Sequence, residues 1–273
     1  MIIAQITDFH IGRPMHVNGE AVSCLERLQA AVAHINALQP RPDVVFATGD
    51  IANHGAINDY RSAREALDAL EIPYFVIPGN HDHRETLRTV FNDNGYLQEG
   101  DFVQYVLEQF PVRIIALDTL QSGAHTGHLC DERLDWFEQC LASEPQKPTL
   151  VFMHHPPFNT GIEVFQRFRL IVSDRLRQIV AANEQIQAIA CGHVHRSIQT
   201  SWAGTLVTTT PSVSFQYPLD MNPHEDLDPI LEPAAVRLLV NIDETNLVSH
   251  VSYIDDFPSV TGVPVAPTVT QTS

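Results

Sequence analysis

Five short polar clusters, each directly after a strand-like apolar run, constrain this chain more than any other feature. Asp8-Phe9-His10 follows Ile2–Thr7, Gly49-Asp50 follows Val44–Thr48, and Gly79-Asn80-His81-Asp82 follows Tyr74–Pro78. His154-His155 follows Thr149–Met153, and Gly192-His193-Val194-His195 follows Ala188–Cys191. An open α/β sheet gathers its ligands beyond the carboxyl ends of its strands. Clusters so placed, though far apart in sequence, are expected to converge. Asp, Asn and His side chains meeting at one point read as a metal site, since imidazole suits Zn, Fe and Ni while oxygen donors suit Mn and Mg.

The segments between the clusters read as helices. Asn18 is placed to cap one running to about Leu38, because Val22, Leu25, Leu28, Val32, Ile35 and Leu38 share a face. Asn58 or Asp59 opens a second, with Tyr60, Ala63, Leu67 and Leu70 as its stripe. This β-α-β-α-β order predicts a layered sheet with helices packed on it. Phe102–Leu107 and Val112–Leu117 then read as an antiparallel pair. Asp131 caps a helix to about Leu141, another lies near Ser173–Ala182, and Thr205–Thr210, Ala234–Ile242 and Leu247–Ile254 add strands. The expected class is α+β.

With 273 residues, 44% of them hydrophobic, the chain can bury a large core. No run approaches about 18 consecutive apolar residues, so no membrane span or membrane partner is expected. Met1 leads into a strand without a basic leader, and Cys24, Cys130, Cys140 and Cys191 show no framework spacing. Both features predict a cytoplasmic protein with reduced thiols. The formal charge of −17, with only 16 Lys and Arg spread along the chain, argues against a nucleic-acid polymer as partner. It does not argue against an anionic substrate, since bound divalent cations reverse the local sign. Ser212–Pro233, rich in Pro, Asp and Glu, is long for a connection and predicts a lid, a pairing surface or disorder. With the two C-terminal β runs it predicts a homo-oligomer, dimer or higher, through strand pairing between subunits.

Read in order, D-x-H, G-D, G-N-H-D, H-H and G-H-x-H resemble the signature of the calcineurin-like metallophosphoesterases. The flanks I-T-D-F-H, I-P-G-N-H-D, F-M-H-H-P-P and C-G-H-V-H are similar to the bacterial branch of glycerophosphodiesterases and class III cyclic-nucleotide phosphodiesterases. The resemblance runs from Met1 to about Phe215. It implies a four-layer α/β/β/α sandwich with a small C-terminal strand extension. Residues 1–211 would form the catalytic core, 212–256 a lid or oligomerisation loop with the final strands, and 257–273 a flexible tail.

The same resemblance implies two divalent metal ions, drawn from Fe, Mn, Zn or Co. Asp8, His10 and His195 are assigned to one ion, Asn80, His154 and His193 to the other, and Asp50 bridges them. Of His154 and His155, an alternating strand points only one inward, and His154 is assigned. Seven residues, one of them shared, supply eight of the roughly twelve positions two six-coordinate ions need. The open remainder marks a catalytic site, where a hydroxide held by the ions attacks phosphorus. His81 is expected to stabilise charge or help protonate the leaving group, and Asp82 to orient a ligand histidine.

Ile51-Ala52-Asn53-His54-Gly55 after G-D lacks the acidic and arginine-rich extension of the protein phosphatases in that superfamily. The expected substrate is therefore a small phosphodiester, either a glycerophosphodiester or a 3′,5′-cyclic nucleotide. A phosphomonoesterase and a non-catalytic scaffold on the same fold are the alternatives. Asn53, Phe215 and Tyr217 are candidate substrate contacts. Phe215 stands where the glycerophosphodiesterase type carries a histidine, so an apolar wall would replace a polar contact there.

Overall fold

A computed structural model of the chain describes residues 1–92, 95–97, 99–171, 174–222, 227–242 and 246–260. In chain order its elements begin with β1 (Ile2–Ile6), β2 (Met15–Val17), β3 (Glu20–Val22), α1 (Cys24–Ala37) and β4 (Val44–Thr48). Next come α2 (Ile57–Leu67), β5 (Tyr74–Ile77), α3 (Arg84–Phe91), β6 (Tyr105–Leu107) and β7 (Arg113–Leu117). They are followed by β8 (Gly127–His128), α4 (Asp131–Ser143), β9 (Thr149–Met153), β10 (Leu170–Ile171) and α5 (Asp174–Ala181). The last are β11 (Ile186–Cys191), β12 (Ile198–Trp202), β13 (Thr205–Thr209), β14 (Ala235–Asn241) and β15 (Leu247–Tyr253).

Two sheets carry the fold. One has the order β15-β14-β1-β4-β5 and the other β12-β13-β11-β9-β7-β6. The five strands that deliver the polar clusters run parallel to their cluster-bearing neighbours, β1 with β4, β4 with β5, and β9 with β11. Near-continuous burial of Val44–Thr48 and Thr149–Met153 is what a strand covered on both faces requires. The alternation in β7 shows the layering. Ile114 and Ala116 join the core with α1, α2 and the first sheet, while Ile115 and Leu117 face α4 and α5. Between the sheets, the Phe46 and Phe152 rings stack with centroids 4.3 Å apart. The result is the expected α/β/β/α sandwich.

The seam on the C-terminal side is polar. Arg237 is fully buried, and its guanidinium donates to Thr210, Ser249, Ser197 and the carbonyl of Thr209, so β14 is tied across to β13. Its hydrogen bonds, rather than a carboxylate, satisfy the buried charge.

Three local expectations differ. Asn18 does not cap α1: with Gly19 it forms the turn of the β2–β3 hairpin, both residues at positive φ (53° and 86°). Asn-Gly is the strongest short hairpin signal, because a two-residue turn needs positive φ twice. The helix instead starts at Cys24, where the Ser23 side chain accepts from the Glu26 amide at 3.2 Å. α3 and β12 were not expected at all; α3 is short and β12 reads only half-apolar. Of the C-terminal stretches, 223–226 and 261–273 lie outside the described residues, while Ser212–Gln216 is fully buried beneath β1.

Truncating the ring between the sheets tests this packing. Phe152→Ala is expected to cost about 3–5 kcal/mol, read from urea denaturation; a loss under about 1 kcal/mol would show that the two sheets are loosely apposed.

Candidate metal centre

Each cluster leaves its strand through a sharp turn. Asp8, His10, Asp50, His193 and His195 all have positive φ, between 49° and 72°. Left-handed backbone disfavours residues with a Cβ and costs about 1–3 kcal/mol at each position, so its concentration here marks a functional constraint. The turns are also crowded. A Cβ on Gly79 would stand 2.2 Å from Oδ1 of Asp50, and one on Gly192 would stand 2.1 Å from Oγ1 of Thr7.

Asp8, His10, Asp50, Asn80, His154, His193 and His195 come together. Nε2 of His10 lies 3.2 Å from Nε2 of His195, which is 3.3 Å from Oδ1 of Asp8. Oδ1 of Asn80 lies 3.1 Å from Nε2 of His154 and 2.9 Å from Nδ1 of His193. Oδ2 of Asp50 stands between the two groups, 3.7 Å from His10 and 3.4 Å from His154. Its Oδ1 is turned away and accepts the His81 amide at 2.8 Å. Only Oδ2 of Asp50 therefore faces the cluster.

The far side of each imidazole sets its tautomer. Nδ1 of His154 donates to the Thr48 carbonyl at 2.7 Å, and Nδ1 of His195 to that of Phe215 at 2.7 Å. Nε2 of His193 donates to the Phe168 carbonyl at 2.8 Å, and Nδ1 of His10 to Oδ1 of Asn53 at 3.1 Å. A ring that donates outward turns its second nitrogen inward, and in the neutral form this nitrogen is a lone pair, the arrangement that orients metal-binding histidines. His155 differs. Although buried beside His193, it meets the Thr119 hydroxyl with Nδ1 at 2.8 Å and the His125 carbonyl with Nε2 at 3.1 Å. Neither of its nitrogens is left for the pocket.

The electrostatics ask for cations. Burial raises the Asp8 pKa, but His195 and His154 outweigh it and hold the carboxyl at about 2. Burial likewise opposes ionisation of Asp50, and His154 again wins, keeping it well below the usual carboxylate range. Burial works against a charge on His154 too, yet Asp50 and Asp8 push its pKa up to about 9. His10 and His193 fall to about 3 through burial. Two carboxylates held in their ionised form thus sit in a buried pocket, an arrangement that is costly unless positive charge is added. Oδ1 of Asp8 is moreover buried with no hydrogen-bond partner. The donor set fits one or two divalent cations, and His, Asp and Asn are the donors such ions take.

The remaining candidates stand around this pocket. His81 is half-buried, with Nδ1 donating to the Asn53 carbonyl at 2.9 Å and its ring 4.8 Å from that of His10. The Asn53 side chain sits behind His10, committed to it. Phe215 is buried, its ring 4.5 Å from that of His195 and covered by the Arg13 guanidinium at 4.6 Å. Tyr217 is half-buried 5.2 Å from His195. A cleft of about 710 Å³ opens beside Asn80 and His81, with Arg84, Asp101, Ser122 and His125 also in its walls.

Asp82 does not orient a histidine. It accepts the amides of Gly79, Ile51 and Ala52 and the Tyr60 hydroxyl, so it braces the Asp50 and Asn80 turns against each other. Those donors were invisible because three of them are backbone groups. Ser212 and Ser214 were missed for a related reason: their hydroxyls donate to the carbonyls of Asp8 and Phe9, across some two hundred residues of sequence. His125, which touches Asn80, stands in no strand-end cluster.

Such a sandwich with a strand-end cation cluster defines a class, and comparison with known sequences assigns it. The chain belongs to the calcineurin-like phosphoesterase family, whose sequence pattern matches residues 1–197. It is 38% identical over 258 residues to a probable glycerophosphodiester phosphodiesterase of Arcobacter nitrofigilis, covering 94% of each chain. It is 36% identical to a probable cyclic nucleotide phosphodiesterase of Rhodopseudomonas palustris, covering 73% of each. Among solved structures, a dimetal phosphatase from Danio rerio shares the fold, with a TM-score of 0.66 at 15% identity over 87% of this chain and 91% of that one.

Gly79→Ala tests the crowding. It should weaken Mn(II) uptake at least about tenfold, measured by titration calorimetry, with far-UV circular dichroism unchanged. Wild-type uptake would show that the Asp50 turn can yield.

Proposed function

We propose that this protein hydrolyses small phosphodiesters at a pair of divalent cations held by the strand-end cluster. The observation that carries the reading is a set of facing donor atoms: Nε2 of His195 lies 3.2 Å from Nε2 of His10 and 3.3 Å from Oδ1 of Asp8, and Oδ1 of Asp8 has no hydrogen-bond partner. A cation satisfies all three at once.

Asp8, His10 and His195 would hold one ion, Asn80, His154 and His193 the other, with Oδ2 of Asp50 between them. When bound, such a pair supplies Lewis acidity and lowers the pKa of water from 15.7 toward about 7. Fe, Mn, Zn and Co all suit this donor set, and availability decides among them. The chain's own residues do the rest. Asn53 holds the His10 ring and, through its carbonyl, the His81 ring. His81 turns Nε2 to the cleft mouth, where the ring, once protonated on both nitrogens, would pass a proton to the departing oxygen. Phe215 closes the back of the pocket and keeps water from the imidazoles behind it. The cleft receives one ester arm. Its Arg84 is already committed to Asp118 and the Leu120 carbonyl, so it offers little further grip to a monoester dianion. The names of the relatives support diesters of glycerol or cyclic nucleotides as the substrate class.

Chelation should abolish hydrolysis of bis(4-nitrophenyl) phosphate and Mn(II) or Co(II) should restore it; turnover that survives full removal of metal would refute the proposal. Asp50→Ala should lose both ions by elemental analysis. His81→Ala should keep its metal while kcat falls about 10²–10⁴-fold, and loss of metal instead would make His81 a ligand.

A further inference from the structure

We infer that His125 is a catalytic residue of this site: a second imidazole that fixes Asn80 from outside and donates its Nε2–H to the oxygen leaving phosphorus. The inference rests on the phosphodiesterase reading and adds to it a residue outside every strand-end cluster.

Asn80 has two ends to place. Its Oδ1 faces His154 and His193, and its Nδ2 lies 3.1 Å from Nδ1 of His125. An amide nitrogen only donates, so Nδ1 of His125 accepts. The proton of the neutral ring therefore sits on Nε2, which has no partner among the described residues. The ring is exposed but held. It lies 5.0 Å from the His81 ring and 5.8 Å from Phe168, while the carbonyl of the same residue accepts from the buried His155.

His81 and His125 thus flank Asn80 at the point where the cation pocket opens into the cleft. Their tautomers are opposite. His81 gives its Nδ1–H to the Asn53 carbonyl and presents a lone pair at Nε2; His125 presents an N–H. A diester seated on the cluster with one arm in the cleft would place its departing oxygen beside these two rings. A fixed donor there gains strength as charge grows on that oxygen, and so favours the transition state over the ground state. No proton changes hands in this contact; the departing oxygen takes its proton from water or from Nε2 of His81 when that ring carries both protons.

The test compares His125→Leu and His125→Gln as Mn(II)-loaded enzymes on two diesters. In bis(4-nitrophenyl) phosphate the departing phenolate needs little help, whereas the alkoxide leaving glycerophosphoethanolamine needs much. His125→Leu should keep wild-type Mn(II) content by elemental analysis, lose a few-fold in kcat on the nitrophenyl diester, and lose about 10²-fold on the alkyl diester. His125→Gln can accept from Asn80 and still donate, and should recover about a tenth or more of the wild-type alkyl rate. Lost metal, or equal losses on both diesters, would overturn the inference and leave His125 as a support for Asn80. An undiminished alkyl rate in His125→Leu would overturn it as well. A wild type that holds Mn(II) but turns over neither diester would instead defeat the phosphodiesterase reading, and this inference with it.

Discussion

The outward hydrogen bonds of four histidine rings are what the rest of the site depends on. His10, His154, His193 and His195 each spend one N–H on an oxygen outside the pocket, belonging to Asn53, Thr48, Phe168 and Phe215. Rotating any ring would leave a buried N–H without a partner, at a cost of about 1–3 kcal/mol. The four oxygens come from three stretches of chain: Thr48 ends β4 and Asn53 follows it closely, whereas Phe168 and Phe215 lie far along the sequence. Only the assembled sandwich brings them together, so the orientation of the lone pairs is a property of the fold and not of the motifs.

That arrangement is unfavourable in isolation. Five left-handed residues, two ionised carboxylates without contact with water, and one unpartnered carboxylate oxygen all oppose folding. What offsets them is placed immediately beneath. Of the strands that end in the clusters, β4 and β9 are buried along their whole lengths and β1, β5 and β11 at all but one residue each, and Phe46 and Phe152 stack between the sheets. Strain at the strand ends is tolerable because the strands themselves cannot shift. The acidic surface follows a separate logic, since divalent cations bound in such a pocket would reverse the local field that an anionic group meets.

Much of this was legible in the sequence, because strand ends carry the proposed ligands and apolar runs mark strands. The run Val44–Thr48 followed by Gly49-Asp50 needs no tertiary information to be placed. What escaped is of a different kind. Asn18-Gly19 was open to reading as a helix cap because the apolar face beyond it is already helical, and the hairpin signal competes with the capping signal at the same residue. Asp82 was given a histidine because its true donors are amides, which have no letter in a sequence. The single-oxygen presentation of Asp50 depends on the His81 amide taking the other oxygen, a matter of turn geometry alone.

The paired histidines show why burial does not reveal role. His154 and His155 are adjacent in the bend after β9, their rings lie 4.9 Å apart with both close to His193, and both are fully buried. Their difference lies in how many outward partners each ring meets. His154 has one, the Thr48 carbonyl, and so keeps a lone pair for the pocket; His155 has two, and keeps none. Yet His155 is not idle, since its second partner is the carbonyl of His125, the residue that turns the Asn80 amide. A histidine with no nitrogen left for a cation still shapes the pocket, by anchoring the loop whose side chain meets the outer end of Asn80.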